Sequence, residues 1–192
     1  IYRFNRKNET FEDVCEYVEQ LHGLSYRVGQ VLCCNHTDRV WVEYVGFGLV
    51  GFYNDSEGNI LCYNLVGHPD VGTSASLLSE DSEGNLWAVS NQNSIIRIAP
   101  DGVVSKVGDT EGPIKAHTQA GSRMVYATDN SLLLVDTQSA QVVRTTPFHY
   151  DTITTLAASS DGERVYVGTL RSGLWGYDVA TEKVEYFHRG AL

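Results

Sequence analysis

Hydrophobic and polar positions alternate along most of this chain in short runs of five to seven residues, and turn residues interrupt the runs at regular distances. Asp38-Arg39-Val40-Trp41-Val42 leads into Gly48-Leu49-Val50-Gly51-Phe52-Tyr53-Asn54, and Asp81-Ser82-Glu83-Gly84-Asn85-Leu86-Trp87-Ala88-Val89 leads into Ile95-Ile96-Arg97-Ile98. A fainter copy is Gly121–Thr128 followed by Leu132–Asp136, and a fuller one is Ser159–Thr169 followed by Ser172–Asp178. Alternation over such short runs, bounded by Gly, Asn, Asp and Ser, is the pattern of half-buried β-strands joined by tight turns.

The copies repeat about every 40 residues, with Trp41, Trp87, Tyr126 and Tyr166 as the aromatic landmarks. Each copy holds four short strands. The pattern predicts strands over 28–34, 40–44, 49–53 and 60–65 in the first full unit, and over 76–80, 86–90, 94–98 and 103–107 in the second. It predicts 114–119, 124–128, 132–135 and 141–145 in the third, and 152–158, 165–169, 173–177 and 183–187 in the fourth. A period near 40 with four strands per repeat is the spacing of β-propeller blades. In front of these, 1–5 and 10–14 read as a hairpin, the second half of another blade. Residues 15–21 carry a faint helical pattern, but the surrounding β period favours an outer strand or a connecting loop. Asp-Ser-Glu-Gly-Asn occurs twice, at 55–59 and 81–85, out of step with the period. It is repeated turn chemistry that closes two different hairpins.

The fold expected is therefore all-β: a β-propeller fragment of about four and a half four-stranded antiparallel blades, part of a larger ring. The segments are 1–25 (second half of a blade plus crossing loop), 26–67, 68–111, 112–147 and 148–192 (one blade each), all within one propeller domain. Because a propeller closes its ring to protect its edge strands, and the chain does not begin with Met, a fragment or a mature product is expected.

Composition narrows the partners. The formal net charge is −10 over 192 residues, which repels a nucleic-acid backbone or an anionic membrane surface. No apolar run reaches the roughly 18 residues of a membrane-spanning helix, so neither nucleic-acid binding nor membrane insertion is expected of this segment. Cys15, Cys33, Cys34 and Cys62 fit neither CxxC nor a zinc spacing. Buried free thiols and a disulfide of an exported protein both remain open, and Cys33 and Cys34 must point to opposite faces of their strand.

No HExxH, His-x-His, Walker loop, dinucleotide fingerprint or Gly-x-Ser-x-Gly occurs. The paired carboxylates fall in hairpin turns expected to face solvent. No catalytic residue, metal ligand or cofactor is assigned. A propeller binds ligands where the loops between its second and third strands, and those between blades, converge on one face. The residues these loops offer are Tyr44, Phe47, Asn91, Gln92, Asn93, Asp129, Phe148, Tyr150 and Arg171. Aromatic rings with amides and a few charges form a set suited to a sugar.

Several stretches carry a family resemblance: His22-Gly23-Leu24-Ser25 with Asp38–Val42, Gly48-Leu49 and Phe52-Tyr53-Asn54; Glu80–Trp87; and Gly162–Thr169 with Gly173–Asp178. They resemble the two-component regulator propeller repeat of the periplasmic sensor regions of Bacteroidetes hybrid two-component histidine kinases. Blade two departs from the repeat at Ala88-Val89-Ser90, and blade three lacks both the Trp and a Gly-Leu. The resemblance implies a seven-bladed ring and a non-catalytic extracytoplasmic sensor on the periplasmic or extracellular side of a membrane-anchored parent. It further implies oligosaccharide ligands, a dimeric parent receptor, and contact with the remaining blades or another copy of the chain. The alternatives are a free-standing scaffold for protein–protein assembly and a metal-dependent propeller hydrolase or lactonase.

Overall fold

A computed structural model describes residues 2–5 and 8–187. It contains a two-stranded hairpin and four four-stranded antiparallel sheets. The hairpin is β1 (Tyr2–Asn5) and β2 (Thr10–Asp13). The first sheet is β3 (Arg27–Cys33), β4 (Val40–Val45), β5 (Gly48–Asn54) and β6 (Ile60–Asn64). The second is β7 (Ala75–Glu80), β8 (Leu86–Ser90), β9 (Ser94–Ile98) and β10 (Val104–Asp109). The third is β11 (Ala116–Ala120), β12 (Arg123–Ala127), β13 (Ser131–Asp136) and β14 (Gln141–Pro147). The fourth is β15 (Ile153–Ala158), β16 (Arg164–Thr169), β17 (Leu174–Asp178) and β18 (Val184–Tyr186). Each sheet is a simple meander in chain order. The all-β expectation holds, and most strand ends fall within a residue or two of those predicted.

Burial follows strand position. Middle strands are covered on both faces, so they read as continuous apolar runs: all five residues of β8 are buried, as are the central residues of β4 and β13. The last strand of a sheet is more exposed than the middle ones, as in β10 and β14, and carries charges such as Lys106 and Arg144 that discourage pairing along a free edge.

Contacts divide the chain into two units: the hairpin through Gln92 with Ile96–Ser105, and Asn93–Ile95 with Lys106 onward. In the first unit, Trp41, Leu49, Val71 and Ala75 form one core with Leu86, Ala88, Ile96 and Ile98. A second core joins Val14, Val18 and Leu21 to Val42, Tyr44, Val50, Phe52 and Ile60. Its inner strands β3 and β7 lie side by side, and Gln30 Oε1 accepts the Leu78 N–H at 3.2 Å. Glu43, buried on β4, accepts a hydrogen bond from the Ser74 hydroxyl. The second unit repeats the plan. Val125, Ala127, Leu132 and Leu134 pack with Ile153, Leu156, Val165, Val167 and Tyr177. Strands β11 and β15 are neighbours, and Thr118 Oγ1 accepts the Ala158 N–H at 3.2 Å.

Three expectations are corrected. Residues 15–21 form neither an outer strand nor a loop: 3₁₀ turns run over Val14–Tyr17 and Glu19–Leu21. Tight turns place Val14, Val18 and Leu21 on one side, where they cover the first sheet. Tyr126 is not the counterpart of Trp41. Trp41 belongs to the core shared with the following sheet, as do Val125 and Ala127, whereas Tyr126 points to the opposite face and lies against His117 at 5.9 Å. The inner strand of the third sheet lacks the bulge found in the other three, and a one-residue slip moves a side chain to the other face. Finally, Asp81 does not face solvent. It is 1% exposed, and its carboxylate accepts from the N–H groups of Glu83 and Asn85, the Asn85 side chain and Trp87 Nε1.

Cys33 is exposed and Cys34 buried, as opposite faces require, and Cys33, Cys34 and Cys62 are free thiols. Burial, reinforced by the Glu80 carboxylate, pushes the Cys34 thiol up to about 11.

Candidate functional site

The nine loop residues predicted as a ligand set divide between the two units. In the first, Tyr44 is fully buried and packs edge-on to Tyr26 at 5.1 Å, so it is a core residue. Phe47 is half-buried against the same core. Asn91 is exposed, and its side chain donates to Thr73 Oγ1 at 2.8 Å while its N–H donates to the Ser74 carbonyl. Gln92 beside it is exposed, with its N–H directed to Ser90 Oγ. These two shape a turn.

In the second unit, Asn93 adopts the left-handed conformation (φ 58°), and its carbonyl accepts from the N–H and hydroxyl of Thr110. Asp129 lies on the rim of a polar cleft of about 560 Å³ lined by 109–113, 128–131, Leu133 and Thr145. Its carboxylate faces Lys115 Nζ at 3.6 Å. Asp109 in the same cleft is held by Lys106 at 2.8 Å and by Ser94 Oγ at 2.5 Å. Two of the three carboxylates lining the cleft are thus already neutralised by partners, and among the described residues no group of three or more His, Cys, Asp or Glu could hold a metal ion.

The remaining three residues belong to one construction on the fourth sheet. Phe148, 1% exposed, is its floor rather than a ligand contact. It stands edge-on to Tyr150 at 5.3 Å and to Trp175 at 5.8 Å. Tyr150 stacks on Trp175 with ring centroids 4.1 Å apart and planes 25° apart. Tyr186, the register partner of Trp175 across β17 and β18, meets the indole at 4.9 Å and 61°. Tyr150 and Tyr186 are 54% and 44% exposed. Large rings left this open to water form a ready apolar surface. Trp175 Nε1 is buried without a hydrogen-bond partner among the described residues, a donor that costs stability while unpaired.

The loop that presents Tyr150 is pinned by the next residue. Asp151 Oδ2 accepts the N–H groups of Arg171 and Ser172, both at 2.6 Å, and Oδ1 accepts that of Thr152 at 2.8 Å. Desolvation alone would raise this carboxyl, but the backbone donors, led by Arg171, Ser172 and Thr152, outweigh it and hold it at about 2. The turn itself closes through Thr169, whose N–H and hydroxyl both donate to the Gly173 carbonyl. A Cβ on Gly173 would sit 3.6 Å from the Tyr186 hydroxyl, so the turn that carries Arg171 abuts the aromatic group.

Asp151, Trp175 and Tyr186 are absent from the sequence-predicted set. Trp175 was legible only as part of the repeat copy Ser172–Asp178. Its pairing with Tyr186 depends on a register that the three-residue strand β18 does not announce.

No family model and no curated protein matches this chain. Among solved structures, it is similar to the extracellular domain of a putative one component system from B. thetaiotaomicron (13% identity, TM-score 0.64, 90% of this chain and 26% of that one). It is also similar to the Neurospora crassa Pan2 WD40 domain (16%, TM-score 0.61, 83% and 48%). A third likeness is to Citrobacter koseri AztD (12%, TM-score 0.63, 82% and 45%). This chain thus spans less than half of each of these three chains. At such identities the likeness concerns the fold alone, and that fold is a β-propeller.

Proposed function

We propose that this chain is the non-catalytic ligand-binding part of an extracytoplasmic sensor, and that it takes an oligosaccharide on the aromatic group of the fourth sheet. One observation carries the reading: the Tyr150–Trp175 stack, flanked by Tyr186, is open to solvent and rests on a loop held rigid by Asp151. The apolar faces of a sugar ring pack on such a surface, while its hydroxyls need donors and acceptors at the rim. A pinned loop has little conformational entropy left to lose on binding, which favours affinity.

The propeller resemblance and the likeness to the extracellular domain of a putative one component system support a location outside the cytoplasm, in a dimeric membrane-anchored receptor. Among the described residues no helix is long and apolar enough to cross a membrane. In this reading the segments 1–25, 26–67, 68–111, 112–147 and 148–192 are successive blades of one larger ring, and the ligand acts by favouring one of two receptor arrangements.

Calorimetric titration with a panel of neutral and acidic oligosaccharides tests it. At least one is expected to bind, and Tyr150→Ala is expected to weaken it about tenfold, the equivalent of one lost ring contact of about 1.4 kcal/mol. Absence of binding across the panel would bring forward the scaffold for protein assembly instead.

A further inference from the structure

The side chain of Arg171 points to the class of sugar. We infer that the ligand carries a carboxylate, as in a uronate-containing oligosaccharide, and that the Arg171 guanidinium receives it at the edge of the aromatic group. This rests on the sugar-binding reading above.

The second unit is economical with its cations. Lys106 pairs with Asp109, Lys115 with Asp129, Arg123 with Asp136, and Arg144 with Glu182. Arg164 lies over the Phe187 ring at 5.6 Å. Among the described residues only Arg171 and Lys183 of this unit have no such partner, in a chain of net charge −10 that offers many. Lys183 follows β17 and Arg171 precedes it, at the opposite end of the strand. Arg171 lies two residues before Gly173, whose Cβ position is 3.6 Å from the Tyr186 hydroxyl, and its N–H is held by the residue that follows Tyr150.

The turn that carries Arg171 is built to leave its charge unspent. Asp151, the carboxylate bound to this turn, accepts three main-chain N–H groups, one of them that of Arg171 itself, and forms no ion pair with the guanidinium. The backbone of Arg171 is thus fixed while its head group has no partner among the described residues. The planar guanidinium can offer two parallel N–H donors to both oxygens of one carboxylate, which neither a hydroxyl nor a Lys ammonium matches. A pyranose stacked on Tyr150 or Tyr186 would place a substituent on its ring edge, where a sugar acid bears its carboxylate. At a partly exposed site this pair should favour the acid over its neutral ester by about 10- to 100-fold at low salt, and less at high salt.

The test uses oligomers of galacturonate, glucuronate and mannuronate, each as free acid and as methyl ester, together with neutral oligosaccharides. They are titrated calorimetrically into the chain and its Arg171→Met and Arg171→Lys variants, at 50 mM and 500 mM salt. At least one acid is expected to bind at least tenfold tighter than its ester. Arg171→Met should bring the acid down close to the ester's affinity and weaken the ester far less than the acid, with Arg171→Lys between. Because the Arg171 side chain has no partner among the described residues, both variants should melt with the parent. If acids and esters bind alike, or if Arg171→Met leaves their difference intact, the carboxylate inference falls and the sugar reading stands. If no sugar of either kind binds, both fall.

Discussion

The pentapeptide Asp-Ser-Glu-Gly-Asn closes two turns in this chain with nearly the same hydrogen bonds, which makes a controlled experiment on burial. At 55–59, Asp55 Oδ1 accepts the N–H of Glu57 at 2.9 Å and that of Asn59 at 2.8 Å, and Oδ2 accepts the Asn59 side chain at 2.9 Å. At 81–85 the matching distances are 3.0, 2.9 and 2.9 Å. The difference is position. Asn59 is exposed, whereas Asp81 and Asn85 are each 1% exposed and Asp81 also accepts from Trp87 Nε1 at 2.7 Å. Asp55→Ala leaves donors that water can reach and should cost about 0.5–1 kcal/mol. Asp81→Ala strands at least two that water cannot reach, the Trp87 indole and the Asn85 amide. At about 1–3 kcal/mol for each orphaned donor, less the relief of a buried charge, the cost is about 3–5 kcal/mol. Both turns lie in the first unit, so one unfolding transition reads both. With a urea m-value of about 2 kcal/mol per molar, the midpoint should fall by about 2 M for Asp81→Ala and by less than about 0.5 M for Asp55→Ala. Adding Trp87→Phe to Asp81→Ala removes one orphan and should recover part of the loss, a non-additivity that a double-mutant cycle detects. Equal midpoint shifts for the two alanine variants would refute the reasoning.

Two further outcomes follow from packing and titration. A Cβ on Gly51 would lie 2.8 to 2.9 Å from three carbons of the buried Trp41 ring, whereas one on Gly112 would meet nothing within 4 Å; Gly51→Ala should destabilise by about 1–3 kcal/mol and Gly112→Ala by less than about 0.5 kcal/mol, read as thermal midpoints. Burial holds the His117 imidazole below the ordinary histidine value. The unfolded chain therefore takes its proton first, so the contribution of His117 is complete above about pH 6.5 and is lost as pH falls below that value. His117→Gln should flatten the decline of stability between pH 7 and 5, and unchanged slopes in chemical denaturation at those two pH values would count against it.

Much of the fold was legible because middle strands buried on both faces leave continuous apolar runs, and turn residues separate them. The runs Leu86–Ser90 and Ser94–Ile98 coincide with β8 and β9 to the residue. Where local pattern failed, a longer-range cause was at work. Val14, Val18 and Leu21 are spaced for tight helical turns, yet only their docking on the first sheet decides that outcome. Tyr126 misled because one residue of slip exchanges faces without altering composition. The candidate site was legible in part. Loop position included Tyr150 and Arg171 in the candidate set, but it could not separate them from Tyr44 and Phe148, which are loop-adjacent in sequence and buried in the fold. Asp151 escaped notice because its partners are main-chain N–H groups twenty residues away, which no side-chain pattern reveals.

The central claim, that a sugar settles on the aromatic group of the fourth sheet, has a built-in reporter. The chain has three tryptophans, and Trp41 and Trp87 are 1% and 0% exposed while Trp175 lies beneath Tyr150. Titrating oligosaccharides against intrinsic fluorescence should shift or quench the Trp175 emission with saturation. The response should vanish in Trp175→Phe and persist in a Trp41→Phe variant that remains folded. A saturable response that survives Trp175→Phe, or a bound sugar detected calorimetrically without any change in emission, would place the ligand elsewhere and contradict the account.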